Sequence, residues 1–191
     1  EEVASKLAKK RKIGAWNGVA ALYGTRQQVM AAKKTIKKSL SGRGSKINFI
    51  SDGKLNLLKR FKGVFSILLG MNITEMVKVL EPSYRILQGV PNEVALSTPY
   101  WRVKKQLPEK DINPAKDNCG VIWLSQVIPM TKENVAEFRE IVEPIFRKHG
   151  FDCCMTLTTV THRCFDCTIP ILYDRDDPYD IVKADACYRE L

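Results

Sequence analysis

The sequence predicts an α+β fold, an antiparallel sheet with helices on one face, built as ferredoxin-like repeats. Three observations predict it. Residues 119–173 give an apolar run, an amphipathic run with a capped start, and two more strand-like runs with little slack between them. The helical and strand periodicities alternate along the chain rather than segregating into halves. A strand–helix–strand order occurs twice, at 15–50 and at 121–160, with a hairpin strand and a second helix added clearly only to the second copy.

Taken in order, Glu1 to Lys12 is a charged helical lead-in. Ala15 to Tyr23 is strand-like and is punctuated by Gly24. Thr25 is a helix N-cap, and Val29, Ala32, Ile36 and Leu40 follow at helical spacing with Lys33, Lys34, Lys37 and Lys38 between them. Ser41 to Ser45 ends that helix, and Lys46 to Ile50 alternates as a short strand. Helical segments follow at Leu55 to Phe61 and within Val64 to Leu80, and Glu81-Pro82 breaks the chain before a turn-rich Ser83 to Pro91. Residues 91–118 carry four prolines and much charge, an irregular connection of a length usually reserved for function or disorder. Thr131 caps a helix whose buried stripe is Val135, Phe138, Ile141, Val142 and Ile145, and Gly150 stops it. Asp152 to Thr161 and Cys164 to Tyr173 form a hairpin around Thr161-His162-Arg163. The segment Asp174 to Pro178 is a turn, and a last helix begins at Asp180.

With 191 residues, the chain can bury a real core. Its 45% hydrophobic and 27% charged content is ordinary for a soluble protein, cytoplasmic or periplasmic, and no run approaches a membrane span of about 20 apolar residues. The formal net charge is +10, and residues 1–62 hold 16 Lys/Arg against three Asp/Glu. A solvated helix face accounts for that excess, and nucleic acid or an acidic protein surface is the alternative. The opening Glu1-Glu2-Val3 and the helix-like end at Leu191 read as a piece of a longer protein.

Little here is catalytic by itself. Of the two histidines, His149 stands at a helix C-terminus, where a cation suits the dipole, and His162 stands in the hairpin turn. There is no phosphate-cradling G-x-G-x-x-G or G-x-x-x-x-G-K-[ST]. The six cysteines fall mostly within apolar runs, as small buried hydrophobes would. Cys164-Phe-Asp-Cys167 is a lone C-x-x-C whose two ends point to opposite faces of a strand, so no metal site is expected.

The run Cys119-Gly-Val-Ile-Trp-Leu-Ser-Gln-Val-Ile-Pro-Met-Thr131 carries a resemblance. With Ile141-Val-Glu-Pro-Ile-Phe146, Lys148-His-Gly-Phe151, Ile171-Leu-Tyr-Asp-Arg-Asp176, Ala186-Cys-Tyr-Arg-Glu-Leu191 and the earlier Trp16-Asn-Gly, it resembles the vanillyl-alcohol oxidase and 4-cresol dehydrogenase (hydroxylating) flavoprotein family. The resemblance implies that residues 1–191 are the C-terminal cap, or substrate-binding, domain of an FAD-linked oxidoreductase. It implies a 4-alkylphenol substrate oxidised by hydride transfer to FAD through a quinone methide that water attacks. The implied partners are an upstream FAD-binding domain and, in the cresol dehydrogenases, a cytochrome c subunit; a homodimer is compatible.

The resemblance also implies site residues. Trp123 matches an aromatic pocket residue and Glu109 an acidic residue near the site. The strand from Cys164 lines the pocket in relatives, so alternation assigns either Phe165, Cys167 and Ile169 or Cys164, Asp166 and Thr168 to it. The first set is preferred because an aromatic substrate wants an apolar wall, and a register shifted by one would bring in Asp166. From Trp101 to Leu124 there is neither Tyr nor His to tether a flavin, so FAD is expected to be non-covalent in the parent. The family's phenolate-binding Tyr-Arg pair would follow Leu191, so the fragment alone is expected neither to turn over substrate nor to hold FAD tightly. The rival readings are a basic α+β RNA-binding module, with Trp16 and Tyr23 as stacking aromatics on central strands, and a protein-interaction domain.

Overall fold

A computed structural model describes Lys6, Gly14 and Trp16, residues 17–43 and 47–63, Ser66, and residues 72–103, 105–108 and 110–191. The side chains of Glu75 and Val79 are not described. The fold is α+β, and the chain divides into two compact units, Glu1–Val90 and Pro91–Leu191.

The first unit is helical among its described residues. Helix α1 is Arg26–Leu40, α2 is Asp52–Arg60 and α3 is Ile73–Leu87. Thr25 caps α1 in a full capping box with Gln28, and the Ser51 side chain caps α2. Helices α2 and α3 pack together, and Lys59 Nζ reaches Glu81 Oε1 at 2.8 Å between them. The Tyr23 hydroxyl donates to the Leu87 carbonyl.

Three sequence expectations fail here. Residues 16–23 and 47–50 form no strand. A strand needs a neighbour to take its N–H and C=O groups, and neither run has one among the described residues; Val19 and Tyr23 lie exposed. The Phe49 ring instead lies beneath Lys33 and Lys37, 5.4 and 5.7 Å from the two ammonium groups. The earlier of the two strand–helix–strand copies is thus a helix with irregular flanks, and Trp16 and Tyr23 stand on no sheet, which removes the feature an RNA-binding reading needs. Finally, Pro82 does not break the chain but lies inside α3. It deletes one backbone donor, a loss borne by a helix that packs on α2. The expected lead-in at 1–12 lies outside the described residues except for Lys6, as does most of 64–71.

The second unit carries the sheet. Within 91–118, Val94–Trp101 forms a 3₁₀ helix, and Tyr100, Val103 and Ile112 gather with Cys119 in a small cluster. Strand β1 is Cys119–Pro129, helix α4 is Lys132–Lys148, strands β2 and β3 are Thr156–Thr159 and Cys164–Asp174, and helix α5 is Pro178–Glu190. The Thr131 side chain accepts from Asn134 N, and Gly150 takes φ 73°, so α4 starts and stops at the expected residues. Asp177 accepts from the amides of Tyr179 and Asp180 to start α5, with Pro178 at its first turn.

The sheet order is β1-β3-β2, antiparallel throughout. In its register Trp123 pairs with Pro170, Ser125 with Thr168 and Val127 with Asp166. Because β2 pairs with β3 only from Thr156↔Thr168 to Thr159↔Phe165, Pro170 lies where β3 has β1 alone beside it. That is a place where a central strand tolerates a missing donor.

Both α4 and α5 cover one face of the sheet. The core there is Leu124, Ile128, Cys167, Ile169 and Ile171 from the strands, Val142 and Phe146 from α4, Phe151, and Ala184 and Cys187 from α5. Val135, Phe138 and Ile145 pack against it, but Ile141, expected in the buried stripe, is 58% exposed. Phe146, two turns along from Phe138, is fully buried in that core.

Candidate functional site

Alternation along β1 and β3 sorts the candidate residues into two groups. Phe165, Cys167 and Ile169 project to the helix-covered face, where Cys167 and Ile169 are completely buried and Phe165 packs at the margin. Trp123 projects to the other face, together with Asp166 and Thr168. The preferred set therefore does not meet Trp123. The pleat fixes opposite faces for neighbouring residues, and the register puts the apolar set under α4 and α5. The other set, Cys164, Asp166 and Thr168, shares the face with Trp123. Glu109 lies outside the described residues.

The face away from α4 and α5 mixes apolar and polar side chains and is partly open. Trp123 is 61% and Val127 70% exposed, while Pro170 and Leu172 are buried toward the end where Cys119 meets Tyr100 and Val103. Ser125 Oγ donates to Asp166 Oδ1 at 2.6 Å across the β1–β3 boundary. Thr156 and Thr158 extend the same face on β2, opposite Thr168 and Asp166. The result is a surface with the indole, the Ser125 hydroxyl and a valine on β1 and a carboxylate with threonine hydroxyls on β3 and β2. Ser125 and Val127 went unnoticed in the sequence, although counting by twos from Trp123 finds both.

At the end of the sheet beside Cys119 lies a second polar cluster. Burial, and then the hydrogen bond it gives to Asp117, push the Tyr100 hydroxyl up to about 12. Lys105 pairs with Asp176, which also accepts from Asn118 Nδ2 at 2.6 Å; these two hydrogen bonds hold the Asp176 carboxyl below its ordinary range. Arg102 stands over the Phe151 ring at 4.7 Å, donates to Gly150 O at 2.9 Å and reaches Asp180 Oδ1 at 3.5 Å. This cluster ties the 91–118 connection to β3 and α5.

His149 caps α4 and meets Glu190 at 2.7 Å, beside Lys148 on the same carboxylate. Lys148 first and His149 second hold the Glu190 carboxyl low. The described cysteines are all free thiols. Cys119, Cys167 and Cys187 are buried and Cys153 half-buried, whereas Cys154 is exposed. Among the described residues no three His, Cys, Asp or Glu side chains gather as a metal site would require, and no helix is long and apolar enough to cross a membrane.

No protein-family model matches the chain. It is 30% identical over 191 residues to 1'-carboxy-chondrochloren decarboxylase of Chondromyces crocatus, covering 97% of this chain and 34% of that protein. It is 24% identical over 193 residues to the 4-cresol dehydrogenase [hydroxylating] flavoprotein subunit of Pseudomonas putida, covering 100% of this chain and 30% of that one. The chain is similar along essentially its whole length to parts of two enzymes. It spans about a third of the length of either relative. One of the two is a flavoprotein, in line with the family the β1 sequence resembles; the decarboxylase is a relative the residues did not suggest.

Proposed function

We propose that this chain is the substrate-covering domain of a flavin-dependent enzyme acting on a para-substituted phenol, with the face of the sheet opposite α4 and α5 turned toward the bound substrate. The observation that carries the reading is Trp123, a large aromatic held 61% exposed on the sheet face that α4 and α5 leave uncovered. Trp123 and Val127 lie side by side with polar groups next to them, and an apolar patch rimmed by polar residues suits a binding surface. Similarity over the full chain to a 4-cresol dehydrogenase flavoprotein subunit supports the substrate class.

On this reading the Trp123 indole is a wall for the phenol ring, with Val127 beside it. Asp166, whose Oδ1 is taken by Ser125, offers its second oxygen to a polar substituent of the substrate. Glu109 joins the site on the family resemblance alone. The face suits the flat ring system of a flavin or its substrate, while the sequence offers no glycine-rich loop for the flavin's phosphates. The phosphates therefore fall to a domain upstream, with FAD held non-covalently. When bound, the flavin supplies a two-electron acceptor. A cytochrome c subunit as onward acceptor and a homodimeric parent are compatible with this arrangement.

A second reading is favoured by the decarboxylase relative at 30% identity. In it the same face covers a substrate that carries a carboxylate, which leaves as carbon dioxide while the bonding electron pair stays on the carbon and is taken up by a proton. One experiment separates the two. The purified parent protein should be yellow and should be bleached anaerobically by 4-cresol. A yellow protein indifferent to 4-cresol that releases carbon dioxide from a carboxylated alkylphenol supports the second reading. A colourless protein that does not take up FAD removes both.

A further inference from the structure

Strand β1 has a neighbour on one side only, and its hydrogen bonding can be assigned residue by residue. Just beyond its two ends, Met130 N donates to Arg163 O at 2.8 Å and Arg175 N donates to Asn118 O at 2.9 Å. Both pairs continue the β1–β3 register. Bonded and non-bonded pairs alternate in an antiparallel ladder. Even-numbered residues of β1 therefore bond to β3, and Val121, Trp123, Ser125 and Val127 turn their N–H and C=O groups to the open side. Two details agree. Cys119 N, at the start of the odd series, donates away from β3 to Pro114 O at 2.8 Å. Pro170, which has no N–H, falls opposite Trp123 at a non-bonded pair.

From Val121 to Val127, four donors and four acceptors thus stand in a row without a partner among the described residues. Proteins protect such edges with charge, proline, a bulge or a short strand. None of these devices is present here. The strand is 11 residues long, its pairing with β3 runs unbroken from Cys119 to Pro129, it contains no charged residue, and its one proline is its last residue. The stretch Val121-Ile-Trp-Leu-Ser-Gln-Val-Ile128 is rich in strand formers and has the composition of a segment that pairs with whatever strand it meets. Its outer flank is also thinly covered, with Gln126 exposed and Ile122 half-buried on the helix side and Val127 70% exposed on the other.

We propose that β1 is an inner strand of the intact protein, and that an extended segment of the parent chain from outside residues 1–191 pairs along Val121–Val127 as a fourth strand. The inference rests on the reading above that this chain is part of a larger protein. The relatives supply the reason for choosing a segment of the parent over a second copy: about two thirds of each lies outside the stretch similar to this chain. Main-chain pairing gives such a segment its hold, and the two faces of β1 set its pattern. It must be apolar where it continues the Ile122, Leu124 and Ile128 face, and small or polar where it passes Ser125.

The test uses the purified parent protein. Val127→Pro removes an N–H that a free edge does not need and a paired edge does, and Val127→Ala serves as the side-chain control. Val127→Pro should lower the melting temperature well below that of Val127→Ala. In the unsubstituted parent, the amides of Val121, Trp123, Ser125 and Val127 should exchange with deuterium on the order of a hundredfold or more slower than unprotected amides. Equal tolerance of Pro and Ala, with fast exchange at these four amides, would overturn the proposal. Protection that disappears on dilution would also overturn it, by giving the edge to a second copy. Slow exchange in a parent that lacks flavin would sink the functional reading and leave the fourth strand standing.

Discussion

Ser125 Oγ donates to Asp166 Oδ1 at 2.6 Å, joining β1 to β3 on the face that also carries Trp123. The bond fixes one carboxylate oxygen and leaves the other available. If this face covers the substrate, Trp123→Ala and Asp166→Asn in the parent protein should each raise KM for the phenol about tenfold, which corresponds to roughly 1.4 kcal/mol. Neither should change the melting temperature by more than a few degrees, since both side chains lie outside the core. Steady-state kinetics with a thermal melt checks this. The residues of the other face should behave in reverse: Ile169→Ala should cost about 2–5 kcal/mol of stability through the cavity it leaves.

Gly120 and its cross-strand partner Tyr173 are in close contact. A Cβ built on Gly120 would come within 2.4 Å of the Tyr173 ring. No rotamer adjustment of one methyl group relieves such an overlap, so Gly120→Ala should destabilise the unit by about 1–3 kcal/mol. Combining it with Tyr173→Leu, which removes the ring, should cost less than the two single substitutions added together. Chemical denaturation of the three variants and the unsubstituted protein reads the coupling.

Asp180 accepts from Asp174 N at 3.0 Å and meets Lys183 Nζ at 3.0 Å and Arg102 at 3.5 Å. Burial by itself would raise its pKa; the amide, Lys183 and Arg102 outweigh that and hold it below the ordinary value of 3.8. A carboxyl with a lower pKa in the folded state stabilises the fold above its unfolded pKa. That contribution is lost as pH falls through the folded value. Stability should accordingly drop below about pH 4, and Asp180→Asn should be less stable at pH 7 with a shallower fall on acidification. Melting curves taken from pH 7 down to pH 3 test it.

Thiol reactivity should follow burial. Desolvation first, and then nearby acidic groups, push Cys153 up to about 12 and Cys167 up to about 11. Cys119 and Cys187 are buried and raised in the same direction. In the native protein at pH 8, iodoacetamide should therefore label Cys154, the exposed cysteine, before the buried Cys119, Cys167 and Cys187, because access decides the order even though desolvation raises the Cys154 thiol as well. Peptide mass spectrometry reads the order, and early labelling of Cys167 would contradict the packing of β3 described above.

Much of the second unit was legible in the sequence because its signals are local. Thr131 and Gly150 bracket α4 by side-chain and backbone chemistry that acts within a few residues, and Thr25 does the same for α1. The apolar run at β1 and the hairpin around Thr161–Arg163 likewise announce themselves within a dozen residues. The β1 sequence also carried the likeness to a flavoprotein family, which the 4-cresol dehydrogenase relative supports in its broad outline.

Tertiary structure decided what depends on a neighbour. Alternation offered two faces for the strand from Cys164. Only its register with β1 put Phe165, Cys167 and Ile169 under the helices and Asp166 and Thr168 beside Trp123. The runs at 16–23 and 47–50 have strand-forming sequences but no strand to pair with among the described residues, and a ladder cannot form from one side. Helix α3 continues through Pro82 because packing on α2 offsets one lost donor. The sequence by itself thus determined α4, α5 and the strands β1 and β3 of the second unit, since caps, turns and periodicity act over a few residues; the strand expected over 152–161 shrinks to Thr156–Thr159, and the 3₁₀ helix Val94–Trp101 was not foreseen. Which face of the sheet is core and which is open was settled only by pairing and packing, which join residues far apart in the chain.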